Sequence, residues 1–427
     1  MKIAIVGSGI AGLTAAHRLD PEHEVTVFEA GDHAGGHTNT ITVDDDGRPL
    51  AVDTGFIVCN DRTYPHFLAL LGELGVATQP THMGFSVSAE GEDFEYAGTP
   101  RGLYCQRRNL VRPAFHRMVG DLLRFNRDLQ RLLESDDAGP TLGAFLEDGG
   151  YSQLFIDRLI VPQVSAVWSA DPAQMWTFPA RFLAAFFRNH GMLSLHDRPQ
   201  WLTVAGGSHT YVEVITGALR GQVRLRTPVR SIIRHPDHVL LTVRGGRAER
   251  FDEVILACHS DQALALLEDP SVAEEQVLGA IPYQANEAVL HTDASLLPRR
   301  RAARQAWNFH LPDATKDRTT VTYWMNHLQR LDSARQYCVT LNLSERIDPA
   351  TVIRTIPYAH PVFTREGIAA QARHGEISGV RRTHYCGAYW RWGFHEDGVW
   401  SALRALERVG RPGGRDRSPG AGEALAA

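Results

Sequence analysis

Six residues near the N-terminus form the pattern best suited to bind a phosphate group. They are Gly7-Ser8-Gly9-Ile10-Ala11-Gly12, and they follow a short apolar run, Lys2 to Val6, that is typical of a buried parallel strand. In this spacing the first glycine permits a tight turn, the second leaves the backbone open to a pyrophosphate, and the third lets a helix pack against the strand. Unpaired N–H groups at the start of that helix would bind the anion.

A carboxylate occurs where a nucleotide ribose would need one. After the glycine turn, a helix is predicted to end near Asp20-Pro21, and a second strand is predicted from Glu24 to Glu29. Glu29 therefore ends the strand that follows the turn, where dinucleotide-binding folds place an acidic residue. Its negative charge would repel the extra phosphate of NADP, so the turn and the acid together predict FAD or NAD. No second GxGxxG occurs, so no separate NAD domain is predicted.

Length and composition predict a soluble protein of two or three domains. The 427 residues are 43% apolar and 22% charged, with a net charge of −5. Because acidic and basic residues are interleaved, we expect no basic patch and no nucleic-acid partner. The scattered cysteines, and the lack of a signal peptide or of a run of about 18 apolar residues, predict a cytoplasmic location. Peripheral contact with a membrane is left open.

Two short motifs look like parts of metal sites and are interpreted otherwise. The run Asp44-Asp45-Asp46-Gly47 resembles half of a calcium loop, but Gly55 occupies the position of the required glutamate, so a solvated hairpin turn is predicted. The pair His395-Glu396 begins like a zinc HExxH motif, but Val399 replaces the second histidine. No metal site is therefore expected.

The sequence after Glu29 resembles the FAD-dependent amine oxidoreductase superfamily, which includes monoamine oxidases, phytoene desaturases and protoporphyrinogen oxidase. The resemblance rests on the doublet Gly35-Gly36 and on four later segments: Val52 to Ile57, Ala205 to Ser208, Phe251 to Ala257, and Tyr385 to Ala388. It implies an α/β protein with an interrupted Rossmann-like FAD-binding domain and an α+β substrate domain. The implied FAD-binding domain spans residues 1–58, 200–262 and 380–412. The implied substrate domain spans residues 59–199 and 263–379, and residues 413–427 form a disordered tail.

The resemblance also implies which residues contact FAD. The backbone of Gly35-Gly36 would approach the phosphates and the ribityl chain, Gly55-Phe56 would lie beside the isoalloxazine ring, and Val229 would contact the adenine. N–H groups at Gly398-Val399, predicted to open the last helix, would face the N1/C2=O edge of the flavin. The implied set is completed by neighbours of these segments, namely Ala30, His37, Thr38, Gly387, Glu396 and Asp397.

Three features depart from the superfamily pattern. His33 and His37 stand where relatives have arginines, and Ala388 stands where they have an acid. Many amine oxidases of the superfamily also use a lysine near flavin N5 during the reaction with oxygen. The two lysines here are Lys2, which opens the first strand, and Lys316, in a predicted exposed turn. Either Lys316 reaches inward or that lysine is absent; the exposed turn favours absence, and hence a dehydrogenase, desaturase or isomerase.

A closer resemblance is to a bacterial branch of predicted NAD- or FAD-binding proteins. Its motifs here are Gly35 to Thr40, Trp307 to Phe309, Thr322 to Asn326, and Gly393 to Gly398. Members of this branch often occur beside cyclopropane-fatty-acid-synthase-like methyltransferases, an association that suggests acyl-lipid substrates. The aromatic residues of the two middle motifs either line a flat apolar cavity or belong to an ordinary core.

The residues assigned to catalysis are His395, Tyr389 and Trp392. Flavin N5 would accept a hydride, so the protein need only orient a substrate C–H bond and shape the pocket. His395 is either a general base or, with Glu396, a brace for the turn beside the flavin, and both interpretations stay open. The predicted reaction is dehydrogenation or desaturation of a small apolar substrate, with oxygen or an external acceptor taking the electrons. The alternatives are amine oxidation at a C–N bond and a non-catalytic flavin-binding partner.

Overall fold

A computed structural model describes residues 1–89, 91–135, 139–169, 171–194, 196, 198–311 and 319–410. The predicted disordered tail, 413–427, lies outside these residues, and so does Lys316. The described chain contains a parallel sheet that begins with the N-terminal strand, a second and larger mixed sheet, and a layer of helices that packs on the second sheet.

The first sheet is parallel throughout and begins with the strand that precedes the glycine turn. Numbered along the chain, its strands lie in the order 3-2-1-4-5, which is the order of a doubly wound nucleotide-binding fold. Ile3, Ala4 and Ile5 in the central strand are fully buried, as expected of a strand covered on both faces. In spatial order the strands are Gln222–Arg224, Glu24–Phe28, Lys2–Val6, Glu253–Leu256 and Thr383–Tyr385.

The second sheet has seven strands and is mixed. All neighbours are antiparallel except Trp307–Leu311 and Phe85–Ala89, which pair in parallel. This sheet and the parallel sheet draw on alternating stretches of the chain, so the predicted α/β class with an interrupted Rossmann-like unit is confirmed. In spatial order its strands are Val352–Pro361, Tyr283–His291, Cys338–Leu341, Val321–Trp324, Trp307–Leu311, Phe85–Ala89 and Phe94–Ala97.

The remaining strands form three smaller groups. The hairpin Thr40–Asp45 and Arg48–Asp53 turns at Asp46 and Gly47, whose φ angles are +54° and +84°. Both residues are therefore left-handed, as a tight hairpin turn requires, and the turn predicted in place of a calcium loop is confirmed. The other groups are the meander Val229–Arg234, Val239–Val243 and Ala248–Phe251, and the set Cys59–Asn60, Trp201–Val204 and Thr78–Pro80.

The helices surround both large sheets, and the longest, Pro113–Glu134, belongs to the layer on the seven-stranded sheet. The last helix, predicted to open at Gly398-Val399, begins at His395 instead. The other α-helices are Ile10–Leu19, Pro65–Glu73, Pro100–Leu103, Leu142–Asp148, Gln153–Phe155, Val161–Trp168, Ala180–Asn189, His209–Ala218, Ser260–Leu266, Val272–Leu278, Met325–Leu328, Arg365–Gln371, His374–Ile377 and His395–Leu406. A π-helical turn spans Ile156–Ile160, and 3₁₀ turns span Arg107–Val111, Pro172–Thr177, Ala294–Leu296, Arg301–Ala303, Ser344–Arg346, Pro349–Thr351 and Ala388–Trp390.

The largest hydrophobic core joins the helical layer to the seven-stranded sheet. It is rich in aromatic rings, and fully buried examples such as Phe125, Phe155 and Phe187 come from the helices. Phe309 contributes to it from the sheet. Within the described part of the chain, no helix combines the length and apolar character that a membrane span requires. All five cysteines are free thiols.

Candidate cofactor and substrate site

A large cavity opens at the carboxyl ends of the parallel strands. Its volume is about 1860 Å³, and four segments that directly follow parallel strands contribute to its wall. Doubly wound folds bind their ligands at this edge of the sheet. Pockets for drug-sized ligands are about 300–1,000 Å³, so the cavity has room for a dinucleotide and a second molecule. The four segments are Val6 to Ala11, Phe28 to Ala30, Ala257 to His259, and Gly387 to Tyr389.

Each glycine of the turn meets a different steric condition. A Cβ added to Gly12 would lie 2.0 Å from the carbonyl oxygen of Gly7, and one added to Gly7 would lie 2.7 Å from that of Ala257. A Cβ added to Gly9 would meet no protein atom within 4 Å, because Gly9 faces the cavity. The helix that follows begins at Ile10, and its first N–H groups have no partner within the helix. The turn is thus closed toward the sheet and open toward an anion.

Glu29 is held in position beside this turn. Its carboxylate accepts hydrogen bonds from the backbone N–H of Ser8 at 3.0 Å, from the Ser8 hydroxyl at 2.5 Å, and from the N–H of Gly31 at 2.8 Å. It also lines the cavity. The acid predicted to bind a ribose therefore lies at the cavity wall with its orientation fixed before any ligand arrives.

The glycine doublet lies directly against the turn. The N–H of Gly35 donates to the carbonyl of Ser8 at 3.0 Å, and a Cβ on Gly36 would lie 3.2 Å from the Cα of Gly9. Both glycines have positive φ, +120° and +59°. Side chains would close the gap between the doublet and the turn, so glycine is required at this close approach.

A buried carboxylate anchors the segment that contains Gly55 and Phe56. Asp53 accepts hydrogen bonds from the N–H and the hydroxyl of Ser208, at 2.9 and 2.8 Å, and from the side-chain amide of Gln329 at 2.7 Å. Burial raises the pKa of Asp53 to about 6, against these hydrogen bonds. The N–H of Phe56 then donates to the carbonyl of His37 at 2.7 Å, which holds Phe56 at the cavity wall.

The last helix brings a second N-terminus to the cavity. Phe394 and His395 line the wall, and a Cβ on Gly398 would lie 2.6 Å from Cγ2 of Ile10. Gly398 therefore lies inside the helix, where it permits close contact with the first helix rather than opening a new one. The N-termini of the two helices lie side by side at the cavity, and both present positive partial charge to it.

His395 is buried among groups from three distant segments. Its Nε2 lies 2.8 Å from the hydroxyl of Thr38 and 3.2 Å from that of Tyr211, and its ring stacks on Phe56 with centroids 3.5 Å apart. Burial lowers the pKa of His395 to about 3. The imidazole is therefore neutral near physiological pH and cannot carry a stored proton there.

The neighbouring acids of the last helix point away from the cavity. Glu396 accepts a hydrogen bond from the N–H of Phe67 at 2.9 Å and pairs with Nδ1 of His66 at 2.5 Å, so it caps the helix Pro65–Glu73. Asp397 accepts from the N–H of Phe394 at 2.9 Å, and burial raises its pKa to about 7. Glu396 thus braces the helix Pro65–Glu73, and the capping hydrogen bond of Asp397 explains why the last helix begins at His395.

The other two residues assigned to catalysis have different positions. Tyr389 lines the cavity, and its hydroxyl is buried without a hydrogen-bond partner among the described residues. Trp392 does not line the cavity. It is part of the aromatic core, and its carbonyl accepts a hydrogen bond from Nε1 of Trp168 at 3.1 Å.

One of the two predicted aromatic motifs splits between cavity and scaffold. Trp307 and Tyr323 line the cavity and meet edge to face, with centroids 5.4 Å apart. Trp324 donates to the side chain of Gln336 at 2.8 Å instead. The strand ends at Trp324 because a helical turn begins at Met325.

Residues predicted to contact the cofactor fall into two groups. Those that line the cavity are Gly7, Ser8, Gly9, Ile10, Ala11, Glu29, Ala30, Gly35, Gly36, His37, Gly55, Phe56, Val229 and Gly387. Those that pack behind its wall are Gly12, Thr38, Glu396, Asp397, Gly398 and Val399.

Comparison with known proteins identifies the family. The family model for flavin-containing amine oxidoreductases matches residues 10–344. The chain belongs to this family. Its members are FAD-dependent oxidoreductases, so the dinucleotide for which this cleft is built is FAD.

The comparison extends to individual proteins. A putative flavin-containing monoamine oxidase of Mycobacterium tuberculosis is 30% identical over 283 residues, which are 64% of this chain and 60% of the relative. The chain thus matches less than two thirds of that relative's length. Among solved structures, cyclohexylamine oxidase from Brevibacterium oxydans has a TM-score of 0.69 at 17% identity, covering 96% of this chain and 99% of that one. A putative protoporphyrinogen oxidase from Exiguobacterium has a TM-score of 0.68 at 19% identity, covering 95% and 98%. These two likenesses establish the fold.

The residues present fit FAD, and His37 is one of the departures from the superfamily pattern that lie in the cavity wall. Burial and the neighbouring His360 and His259 lower the pKa of His37 well below its usual value, so its ring is neutral. Its Nε2 is buried without a partner among the described residues. His37 therefore offers one hydrogen bond where an arginine would offer positive charge, and the two helix N-termini remain to balance the diphosphate.

Sequence reasoning missed the aromatic and histidine rings that surround His37 in the cavity wall. His37 stacks on Tyr358 at 4.9 Å, and His259 stacks on Tyr283 at 4.4 Å. His360 lies between these two stacked pairs, 5.4 Å from His37. The available signal was the spacing of Tyr358 and His360, which places both on one face of a strand.

The helical layer lines one part of the cavity mainly with aliphatic side chains. Five aliphatic side chains from four helical elements line it, beside the side-chain amides of Asn126 and Gln163: Leu103, Val119, Leu122, Leu159 and Val167. Among the described lining residues, Glu29 is the one carboxylate, and it is engaged by Ser8 and Gly31. We call this part of the cavity the apolar arm.

Proposed function

We propose that this protein is an FAD-dependent dehydrogenase or desaturase that acts on an apolar, lipid-like substrate. The observation that carries the proposal is the apolar arm, which contains no described carboxylate. An ammonium group would enter such an arm without an ion-pair partner, and its desolvation would be costly. An acyl chain would bury its CH₂ groups there with a gain of about 0.8 kcal/mol each.

The protein's own residues would position the substrate rather than carry its charge. When bound, FAD supplies the hydride acceptor at N5. Trp307 and Tyr323 would form one side of the space that the substrate's acyl chain occupies and would exclude water from it. His395, held through Nε2 by Thr38 and Tyr211, would offer a fixed neutral hydrogen-bonding group at the cavity wall. A residue with a pKa of about 3 is a poor proton acceptor at neutral pH, so we assign His395 to positioning.

A second candidate function is oxidation of an amine at its C–N bond. It is favoured by the similarity to a protein named as a monoamine oxidase. Trp307 and Tyr323 also place aromatic rings at the wall, and such rings can face a cation. An amine that binds as the neutral base would need no carboxylate.

Anaerobic reduction of the bound flavin separates these functions. Purified protein is mixed with saturated and monounsaturated acyl lipids and, separately, with primary and secondary amines, and the loss of absorbance near 450 nm is followed. Reduction by acyl lipids supports the proposal. Reduction by amines alone overturns it in favour of C–N oxidation, and no reduction by any compound, combined with tight binding to another protein, favours a non-catalytic role.

A matched pair of variants tests the apolar arm itself. Val119→Phe narrows the arm, whereas Val214→Phe makes the same change at a partly exposed helical site outside the cavity wall. We expect Val119→Phe to slow reduction by long-chain substrates at least about tenfold, because overpacking costs about 1–3 kcal/mol. Val214→Phe should leave that rate unchanged. Equal rates in the two variants would show that substrate does not occupy the arm.

A further inference from the structure

An unusual surface lies at the start of the helical layer. Val111 is 81% exposed, the highest value among large apolar side chains in the described chain, and its neighbour Leu110 is 54% exposed. Both end the 3₁₀ turn Arg107–Val111, directly before the long helix Pro113–Glu134. Single exposed apolar residues are ordinary, but two adjacent ones at a projecting turn form a patch.

The charge of this surface is one-sided. Although the whole chain has a net charge of −5, residues 99–120 contain five arginines and no aspartate or glutamate. The interleaving of charges that predicted no basic patch therefore fails here. Arg108 pairs with Asp93 at 3.5 Å. The other four are exposed and have no ion-pair partner in the described part of the chain: Arg101, Arg107, Arg112 and Arg117.

The same segment forms the end wall of the apolar arm. Leu103 lines the cavity from the short helix Pro100–Leu103, and Val119 and Leu122 line it from the long helix. Leu123 also lines the cavity, yet it is 44% exposed, so the arm reaches the surface beside it. The long helix rises about 1.5 Å per residue, which places Leu123 about 15 Å along the helix from the exposed turn.

We propose that residues 99–123 form a docking surface for an anionic lipid membrane. Leu110 and Val111 would insert between the headgroups, the unpaired arginines would contact lipid phosphates, and the arm beside Leu123 would open toward the bilayer. A basic rim around exposed apolar side chains is the combination that binds peripheral proteins to anionic membranes. A lipid surface matches both properties at once, which is why it is preferred here to a protein partner. The proposal does not rest on the proposed reaction, since membrane binding is measured without turnover.

Vesicle co-sedimentation of the FAD-loaded protein tests the surface. The probes are vesicles of phosphatidylcholine alone and vesicles with one third phosphatidylglycerol, at low and at physiological ionic strength. We expect binding to the anionic vesicles that weakens as salt rises, and little binding to neutral ones. Absence of binding to anionic vesicles at low salt overturns the proposal. Equal binding to both kinds of vesicle overturns the role of the arginines.

Two double variants and two matched controls locate the contact. Arg107→Gln with Arg112→Gln should lower the partition coefficient about 30-fold at low salt, at roughly 1 kcal/mol for each arginine. Leu110→Ser with Val111→Ser should lower it at least about tenfold. The controls make like changes on other exposed surfaces, Arg230→Gln with Arg247→Gln, and Val272→Ser, and should bind as the wild type does.

The same variants distinguish other occupants of the surface. Bound-flavin absorbance and the melting temperature verify that each variant is folded. If the controls lose binding as much as the test variants, the surface is not the site. If sedimentation velocity instead shows self-association that Leu110→Ser with Val111→Ser abolishes, and vesicles are not bound, the surface holds a second copy of the chain and the lipid proposal fails.

Discussion

Gly9→Ala is expected to remove FAD binding while leaving the fold intact. Gly9 has a φ of −67°, which alanine adopts without strain, and an added Cβ meets no protein atom within 4 Å. At compatible backbone angles the change from glycine stabilises by about 0.4–1 kcal/mol, whereas an alanine at the helix N-cap loses part of that gain. We therefore expect the free energy of unfolding of the FAD-free protein to change by less than about 1 kcal/mol.

The effect on FAD should be much larger. The methyl group would occupy the space through which a pyrophosphate reaches the N–H groups of Ile10 and Ala11, both of which lie in the cavity wall. A hydrogen bond to a charged group contributes about 1.5–3 kcal/mol. Loss of two such bonds amounts to about 3–6 kcal/mol, so the Kd for FAD should rise at least about 100-fold.

Gly12→Ala is the matched control, since it adds the same methyl group three residues later. There the Cβ would lie 2.0 Å from the carbonyl oxygen of Gly7, which is backbone and cannot turn aside. We expect about 3 kcal/mol or more of destabilisation. Urea unfolding of the FAD-free proteins gives the stabilities, and quenching of flavin fluorescence on titration gives Kd. The reasoning is refuted if Gly9→Ala binds FAD within about threefold of the wild type, or if it unfolds as readily as Gly12→Ala.

Three further predictions concern the last helix. His395→Gln should leave the pH profile of flavin reduction between pH 5 and 8 unchanged, since the pKa of His395 is about 3. If the wild type shows an inflection near pH 6.5 that this variant abolishes, His395 acts as a general base after all. The native Asp397 carboxyl, with a pKa of about 7, keeps its proton where the unfolded chain has lost it, so the contribution of Asp397 to stability should fall by about 3 kcal/mol from pH 4 to 7. Urea unfolding across that range should show Asp397→Asn flattening this dependence, and a parallel curve would contradict it. Glu396→Gln should lower the free energy of unfolding by about 1–2 kcal/mol, and with it the melting temperature, without changing the Kd for FAD. Weaker FAD binding at unchanged stability would show that Glu396 contacts the cofactor.

The cofactor cleft was predictable because its constraints are local. Gly7, Gly9 and Gly12 act within one turn, and Glu29 reaches the turn from the end of the next strand. Twenty-nine residues therefore contain the complete geometric requirement for a dinucleotide. The doublet Gly35-Gly36 needed the resemblance as well, since its role depends on contact with Gly9.

The start of the last helix shows where such reasoning stops. A glycine at position 398 looked like a helix start, yet the N–H of Phe394 is satisfied by Asp397, so the helix begins at His395. Gly398 is then required for contact with Ile10, a neighbour almost four hundred residues away in the chain. No local pattern distinguishes a glycine that opens a helix from one that lets two helices approach.

The environment of His395 was beyond reach for the same reason. Its low pKa arises from enclosure by Thr38, Phe56, Phe67 and Tyr211, which belong to separate segments of the chain. Burial decides whether a histidine is a base or a neutral hydrogen-bonding group, and burial is a property of the assembled fold. A sequence can therefore place a histidine beside the flavin without assigning its chemistry.

The charge balance of the cleft connects these observations. The diphosphate of FAD would meet a neutral His37 and the N-termini of two helices that Gly398 holds together. Positive partial charge from helix termini is fixed in place and does not titrate. Protonation of His37 is unfavourable, because the ring is buried and lies beside His259 and His360. Replacing the superfamily's arginines by histidines therefore shifts cofactor binding from side chains to backbone.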